Sequence, residues 1–306
     1  MVNVGDSERA KKRLFLRVSP RQSQLVSGWA SAFECHHPAP AVRCWHCDMK
    51  VTTNAPHRKL LRRGARGPAW ESVLSEVRLQ PDELHVWRAS LACDPAKLNQ
   101  MEATLAEDEK KRAQQLRFEK DRNHFIAGRG ILRDLLAKYV SRAPAELRFR
   151  YGALGKPALD VEETQQSVRF NLSHSHGLAV FAFRLDREIG IDLELIRFNF
   201  ATDEIAMRYF SPRELAEWRA LPSNSRAEGF FLCWTRKEAY VKARGAGLHI
   251  PLDSFSVSLT PGKPEILESA DSEQWSVCSL QPAAGFVGAV VGKGPDWRLR
   301  QYDWQP

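Results

Sequence analysis

Long hydrophobic runs and cysteine are both scarce in this 306-residue sequence. The longest apolar runs, at residues 177–183 and 285–292, fall far short of the roughly 18 residues that a membrane-spanning helix needs. Six cysteines are too few for a disulfide-stabilised scaffold, and Cys93, Cys233 and Cys278 lie in apolar stretches where a buried thiol is usual. These absences predict a protein without a membrane span in a reducing, cytoplasmic setting.

Basic residues are concentrated at the start of the chain. Residues 1–75 hold 13 Lys and Arg against 5 Asp and Glu, whereas residues 76–306 hold 32 of each. The first quarter therefore carries the whole net charge of +8, and because it has no sustained hydrophobic period we predict a poorly ordered extension. It lacks the apolar stretch of a secretory signal. An extension added by a misplaced start codon is one explanation of this segment.

Metal-binding residue types occur once in that extension. Cys35 stands beside two histidines, and Cys44, His46 and Cys47 crowd together a few residues later. Structural zinc sites favour two pairs of ligands with regular spacing inside each pair. This spacing is irregular, so we predict an unordered stretch and keep a structural zinc site as the alternative.

From residue 76 onward the sequence predicts two similar halves in which strands alternate with helices. In the first half we predict strands at 84–91, 148–151, 168–172 and 178–185 and helices at 96–116 and 121–140. In the second half we predict strands at 189–195, 255–259, 275–280 and 286–291 and helices at 203–210, 211–221 and 226–244. This pattern predicts an α+β fold with two α/β lobes, residues 76–186 and 187–306, and a ligand site in the cleft between them.

Two carboxylates alternate with apolar residues in the strand that opens the second half. Because side chains two apart on a strand point to the same side, Asp192 and Glu194 should share one face. Two adjacent anions repel, so they require a cation, a shared proton or open water. The pattern therefore allows either a solvated face on an edge strand or a site for a hard cation such as Mg²⁺.

The helix at 226–244 concentrates charge near its end, where Glu238 and Lys242 stand four residues apart on one face. Ser211 and Glu214 form a capping box at the start of the preceding helix, and Gly245 is suited to the C-terminal cap of the long one. The Glu238 and Lys242 spacing allows either an ordinary surface ion pair or a third metal-binding carboxylate beside a phosphate contact.

Donors suited to anions are scattered through the first half. Lys156 follows a glycine in a tight turn, and Ser173 and His174 end a strand. Lys111, Arg117 and Arg133 belong to the two early helices. We expect these groups to be able to converge on an anion that carries several phosphates.

Four short motifs, taken together, are specific. They are YGALGKPAL at 151–159, FNLSHS at 170–175, GIDLE at 190–194 and WTRKEAYVKARGAGL at 234–248. Through their residues, order and spacing, the chain from about residue 76 to residue 290 resembles the 4'-phosphopantetheinyl transferases of the Sfp type. The extension at 1–75 has no counterpart in that family pattern.

The resemblance implies a monomer whose two lobes are related by a pseudo-twofold axis, with coenzyme A and Mg²⁺ bound between them. It implies transfer of the 4'-phosphopantetheine arm from coenzyme A to a serine of an acyl or peptidyl carrier protein, with release of adenosine 3',5'-bisphosphate. By motif, Asp192, Glu194 and Glu238 would hold Mg²⁺, and Glu238 would also be the general base. Lys242 would bind phosphates and stabilise the leaving group, whereas Lys111, Lys156, Ser173, His174 and Asp192 would contact coenzyme A.

The sequence departs from the family pattern in one respect. Gln114 stands where some members carry a second lysine, so the contacts to the nucleotide end of coenzyme A are open, with Arg112 or Arg117 as substitutes. Carrier proteins are acidic near the modified serine, and we expect Arg208, Arg213 and Arg219 to help dock them. Two alternatives are a catalytically inactive carrier-binding module and a nucleic-acid-binding protein driven by the basic extension. Nothing specific to nucleic acid is predicted, because that segment has no interleaved aromatic residues.

Overall fold

The structure is a computed structural model that describes residues 69–72, 77–152, 155–160, 167–245, 249–259, 264–268 and 273–305. Strands and helices alternate through these residues. These residues belong to one compact unit, Leu61–Pro306. The helices are α1 Pro95–Thr104, α2 Glu107–Gln115, α3 Glu119–Val140, α4 Asp203–Tyr209, α5 Pro212–Ala220 and α6 Arg226–Arg244. The strands are β1 Glu71–Ser72, β2 Glu83–Ser90, β3 Phe149–Tyr151, β4 Pro157–Leu159, β5 Val168–Ser175, β6 Leu178–Leu185, β7 Ile189–Leu195, β8 Ser256–Val257, β9 Ile266–Glu268, β10 Trp275–Leu280, β11 Phe286–Lys293 and β12 Arg298–Asp303.

Two larger sheets organise the described residues. One has five strands in the order β1-β12-β2-β6-β5 and the other three in the order β10-β11-β7, with β3-β4 and β8-β9 as separate pairs. A hydrophobic cluster joins the two sheets, with Leu84, Val86 and Ala182 from the first and Ile191 and Val290 from the second. The mixed helix and strand fold predicted from the sequence is confirmed, whereas the division at 186 and 187 and the pseudo-twofold relation remain predictions.

The last strand was not predicted from the sequence. β12 pairs in parallel with both β2 and β1, so the end of the chain completes the sheet built mainly by the first half. Its residues include two exposed arginines at 298 and 300. Because β12 finds its partners more than 200 residues earlier, its local sequence gives little indication of the pairing.

The predicted helix at 96–116 is wrong, since the structure breaks it into α1 and α2. Leu105 and Ala106 adopt extended backbone angles, and the Glu109 carboxylate accepts a hydrogen bond from the backbone N–H of Ala106 at 2.9 Å. The same carboxylate pairs with Arg129 and Arg133 of α3. The break therefore lets α2 dock a buried acid between two arginines.

The two predicted helix caps are confirmed. Ser211 and Glu214 form the capping box of α5, with the Ser211 N–H donating to Glu214 Oε2 at 2.8 Å. Gly245 ends α6 with φ of 62°, in the left-handed region that favours glycine. The first cap fixes the start of α5, and Gly245 fixes the end of α6, the helix that carries Glu238 and Lys242.

Several sequence features lie outside the described residues. They include residues 1–68 of the basic extension, and with them the potential zinc ligands Cys35, Cys44, His46 and Cys47. In the described part, Cys93, Cys233 and Cys278 form no disulfide. None of the described helices combines the length and hydrophobicity needed to cross a bilayer.

Candidate active site

Polar side chains of β5 bond to the neighbouring strand β7 across the gap between the two sheets. Asn171, Ser173 and Ser175 are spaced two apart and therefore share one face of β5. Asn171 Oδ1 accepts from the Ile191 N–H at 2.8 Å, Ser173 Oγ donates to Asp192 Oδ1 at 2.9 Å, and Ser175 Oγ donates to Glu194 Oε2 at 3.0 Å. The serines of the FNLSHS motif thus hold the carboxylates of the GIDLE motif.

Asp192 lies at the centre of this arrangement. Its Oδ1 accepts hydrogen bonds from Ser173 and from the Lys242 ammonium at 2.9 Å. Its Oδ2 is buried and has no hydrogen-bond partner among the described residues. The side chains of Lys242 and Asp192 are only 10% and 7% exposed, so the pair lies in a low-dielectric setting where it is stronger than a surface ion pair.

Both acidic residues of β7 are buried: as whole residues, Asp192 is 5% exposed and Glu194 is 7% exposed. The alternative of a solvated face on an edge strand is therefore wrong: β7 is the last strand of its sheet, but β5 covers its other side. Burial, followed by the neighbouring charge of Asp192, raises the pKa of Glu194 to about 8. A bound cation would oppose both effects.

Gly190 allows α6 to approach β7 closely. A Cβ atom at this position would lie 2.1 Å from the Ala239 carbonyl oxygen and 2.3 Å from the Ala243 nitrogen, both backbone atoms of α6. No L side chain larger than hydrogen fits such a contact. The first residue of the GIDLE motif thus sets the helix distance that brings Lys242 to Asp192.

Glu238 lies one turn before Lys242 and is half-buried. No group of three or more His, Cys, Asp and Glu side chains suited to a metal occurs in the described ranges. Asp192 and Glu194 lie together on β7, and the neighbouring helix α6 carries Glu238. Its predicted roles as metal ligand and general base stay predictions.

Lys156 contacts the backbone of Lys242, whereas Asp192 contacts the Lys242 ammonium. Its Nζ donates to Glu188 Oε2 at 3.0 Å, to the Ile189 carbonyl at 3.2 Å and to the Lys242 carbonyl at 3.0 Å. The structure thus gives this side chain protein partners on two elements. Its predicted contact with coenzyme A remains a prediction.

The other predicted donors lie farther out. Lys111, Gln114 and Arg117 are exposed, the first two on α2 and Arg117 just after it, while His174 is half-buried on β5 beside Ser173. Arg208, Arg213 and Arg219 are exposed on α4 and α5, and Arg219 pairs with Asp203 at 3.3 Å. No contact in the structure tests their predicted roles in binding.

Sequence reasoning missed two residues that support the site. Lys237 and Glu214 are both 0% exposed, and Lys237 Nζ donates to Glu214 Oε1 at 2.6 Å and to the Phe255 carbonyl at 2.6 Å. This buried pair ties α6 to α5 at the residue next to Glu238. In the sequence, the capping box already accounts for Glu214. The signal that could have indicated its pairing with Lys237 is a lysine on an otherwise apolar helix face.

The arrangement has a clear chemical capacity. Two buried carboxylates and a partly buried ammonium come from β7 and α6, and hydroxyl groups from β5 orient them. Hard divalent cations bind carboxylate oxygens together with substrate phosphates, while a lysine acts as a point charge for the same phosphates. Such a site is suited to chemistry at a phosphate ester.

Comparisons with known proteins cover the part of the chain that carries this site. Residues 188–291 match the family model described as the 4'-phosphopantetheinyl transferase superfamily, and residues 87–185 match the model of the 4'-phosphopantetheinyl transferase N-terminal region. Among solved structures, a holo-[acyl-carrier-protein] synthase of Thermotoga maritima is 22% identical, with a TM-score of 0.29, over 35% of this chain and 62% of that one. A holo-(acyl-carrier-protein) synthase of Bacillus anthracis in complex with CoA (3',5'-ADP) is 26% identical, with a TM-score of 0.29, over 35% of this chain and 94% of that one.

Curated relatives match over longer stretches. The 4'-phosphopantetheinyl transferase HetI of Nostoc sp. is 39% identical over 229 residues, which span 75% of this chain and 95% of that protein. The 4'-phosphopantetheinyl transferase Sfp of Bacillus subtilis is 28% identical, spanning 63% of this chain and 84% of that protein. The chain therefore belongs to the Sfp-type 4'-phosphopantetheinyl transferases, the enzymes that transfer the 4'-phosphopantetheine group from coenzyme A to a serine of a carrier protein.

Proposed function

We propose that the transfer takes place where β5, β7 and α6 meet, with the pyrophosphate of coenzyme A beside Asp192, Glu194 and Lys242. The observation that carries this proposal is the contact of Lys242 and Ser173 with one oxygen of Asp192. These three residues come from three of the motifs shared with the family, and folding brings them within hydrogen-bond distance.

Mg²⁺ fits the two carboxylates of β7. The buried Oδ2 of Asp192 has no partner among the described residues, and burial with the charge of Asp192 raises the pKa of Glu194 although Arg197 and Lys242 oppose the shift. Mg²⁺ needs only one or two protein carboxylates when substrate phosphates complete its ligands. Asp192 and Glu194 would hold the ion, and the ion would supply charge stabilisation at the pyrophosphate.

Lys242 stabilises the negative charge that grows on the leaving bisphosphate. Its ammonium is held by Asp192 and Ser173 before substrate arrives, so little reorganisation is needed at the moment of reaction. The carboxylate also limits the freedom of the long lysine side chain. This preorganisation in a partly buried position makes the charge more effective than it would be in water.

Glu238 accepts the proton of the carrier serine as it attacks. The residue lies on the same face of α6 as Lys242, one turn away, and its side chain is half-buried. A general base must come within hydrogen-bond reach of the hydroxyl.

The nucleotide end of coenzyme A lies toward β5 and α2, where Ser173, His174 and Lys111 contact it. Exposed cations at Lys111 and Arg117 support this placement, and Arg117 compensates for Gln114. Ser173 would then serve both the ligand and Asp192, because a hydroxyl can donate one hydrogen bond and accept others.

The carrier protein docks on the surface formed by α4 and α5. Met207 of α4 and Phe198 of the preceding segment are exposed at 55% and 73%, and Arg208, Arg213 and Arg219 supply positive charge. An apolar patch with basic residues complements a carrier that is acidic near its serine.

We further propose that the protein is a cytoplasmic monomer with two pseudo-symmetric lobes. The two family models meet between residues 185 and 188, which supports the division into two lobes.

The decisive experiment incubates the full chain with coenzyme A, Mg²⁺ and apo carrier proteins of several pathways, and measures the mass of each carrier. We expect one phosphopantetheine per carrier, lost on chelation with EDTA and restored by added Mg²⁺. Failure to modify any carrier would overturn the proposal. Full activity in EDTA would refute the role of Mg²⁺ but leave the proposed transfer reaction standing.

A further inference from the structure

We propose that Lys156 is a positioning residue that fixes the last turn of α6 and thereby the phosphate-binding Lys242. This inference rests on the proposed function of Lys242. It replaces the expectation that the Lys156 side chain contacts coenzyme A.

The contacts of Lys156 join three separate segments. Its ammonium bonds to the Glu188 carboxylate and the Ile189 carbonyl at the start of β7, and to the carbonyls of Lys242 at 3.0 Å and Ala243 at 3.5 Å in α6. Lys156 itself lies in the turn before β4. One side chain thus ties this turn to both elements that carry the proposed catalytic groups.

These contacts satisfy a general need of helix ends. The last four carbonyls of a helix have no partner within it, and the C-terminus carries a partial negative charge that a lysine stabilises. In α6 the Gly245 N–H reaches the Lys242 carbonyl at 3.2 Å, and Lys156 adds a charged donor to the same oxygen. The Lys156 Cδ also lies 3.7 Å from the point where a Cβ of Gly245 would stand.

Lys242 is therefore held at both ends. Asp192 and Ser173 hold its ammonium, and Lys156 holds its backbone carbonyl. Lys242 lies only two residues before the end of α6 at Arg244, in the part of a helix that frays most readily. A fixed last turn keeps the Lys242 ammonium at a constant distance from Asp192.

The donor count argues against a phosphate contact. A lysine ammonium has three hydrogens, and three oxygens lie within 3.0–3.2 Å of Lys156 Nζ. The side chain is 21% exposed. A contact to coenzyme A would require one of these partners to be released, and the capping role requires none.

Hydrogen exchange of the metal-free, ligand-free protein tests the inference without any transfer reaction. We expect Lys156→Met to speed exchange of the amides at residues 241–245 by roughly fivefold or more, because the capping bonds are lost. Lys156→Arg, which keeps donors for the carbonyls, should restore most of the protection. Lys293→Met is the matched control, since it removes a lysine from an exposed ion pair with Glu273 and should leave these amides unchanged.

Kinetics then separate positioning from binding. Lys156→Met should lower kcat by roughly tenfold to hundredfold, as expected for a displaced catalytic group, with the KM for coenzyme A changed less than about threefold. Unchanged exchange together with a raised KM would overturn the inference and return Lys156 to the coenzyme A site. If Lys156→Met does not fold, Lys156→Gln gives the same two readouts. A wild-type protein without transferase activity would refute the proposed function, while the exchange result would still decide whether Lys156 caps α6.

Discussion

The ammonium of Lys242 donates to the Asp192 carboxylate at 2.9 Å, although the two residues lie 50 positions apart in the sequence. The contact joins the middle of β7 to the last turn of α6, and Gly190 permits it by letting the helix backbone lie against the strand. It leaves the second carboxylate oxygen of Asp192 available on the buried side. In this arrangement the lysine can bind a phosphate group while the acid binds the cation that accompanies that phosphate.

Asp192→Asn should abolish magnesium-dependent transfer. The amide cannot provide the negative charge that Mg²⁺ and Lys242 both require, so we expect the rate to fall by at least about 100-fold. The rise in melting temperature caused by Mg²⁺ and coenzyme A should disappear as well. Asp82→Asn is the matched control, because the Asp82 carboxylate pairs with Arg298 at an exposed position. An Asp192→Asn protein with normal activity would show that the metal assignment is wrong.

Gly190→Ala should destabilise the protein. The added methyl group would meet backbone atoms of Ala239 and Ala243 at 2.1 and 2.3 Å, and backbone cannot rotate away as a side chain can. We expect a loss of roughly 1–3 kcal/mol or more in the free energy of unfolding, measured in urea. Gly152→Ala is the comparison, because its nearest atom would be the Lys156 carbonyl oxygen at an ordinary 3.7 Å. Equal stability of the two variants would contradict the close approach of β7 and α6.

The sequence predicted the parts of the site that depend on local periodicity. A strand places Asp192 and Glu194 on one side wherever it lies, and the capping box of Ser211 and Glu214 is local to its helix. Whether water reaches those carboxylates could not be predicted, because it depends on β5 covering β7. The two outcomes, solvated face and cation site, have the same sequence pattern.

The features that were missed depend on partners far away in the chain. The break between α1 and α2 follows from Glu109 binding arginines of α3, which propensity within residues 96–116 cannot indicate. β12 finds its partners at the beginning of the described chain. The capping role of Lys156 depends on α6 ending beside the turn, 86 residues later.

Removing one partner of the buried Lys237 and Glu214 pair should cost more than removing both. Either Lys237→Met or Glu214→Gln leaves an uncompensated buried group, which typically costs about 3–5 kcal/mol. In urea unfolding, the double variant should lose much less free energy of unfolding than the sum of the two single losses, because it leaves no isolated charge. The exposed pair of Lys293 and Glu273 serves as the control cycle, with a coupling of about 1 kcal/mol or less. Additive losses at Lys237 and Glu214 would contradict a direct interaction.

His85 should make the folded protein sensitive to mild acid. The side chain is 1% exposed, with Nδ1 2.9 Å from the Tyr139 hydroxyl and Nε2 3.1 Å from Glu83 Oε2. Burial lowers the pKa of His85 below 6.5, although Glu83 opposes the shift and Arg300 adds to it. The unfolded chain therefore takes up a proton before the folded one does, so stability is retained above about pH 6.5 and is lost as the pH falls toward the lowered value.

The measurement is the melting temperature between about pH 7.5 and pH 5. His85→Gln removes the titrating group, so the fall in melting temperature on acidification should be smaller than in the wild type, whatever the variant's stability at neutral pH. His249→Gln, the same change at an exposed position, should keep the wild-type dependence. Because Tyr139 and Tyr302 pack their rings against His85, a charged imidazole would have to form beside two aromatic side chains in the core. An acid response that is identical in His85→Gln and the wild type would mean that other groups govern it.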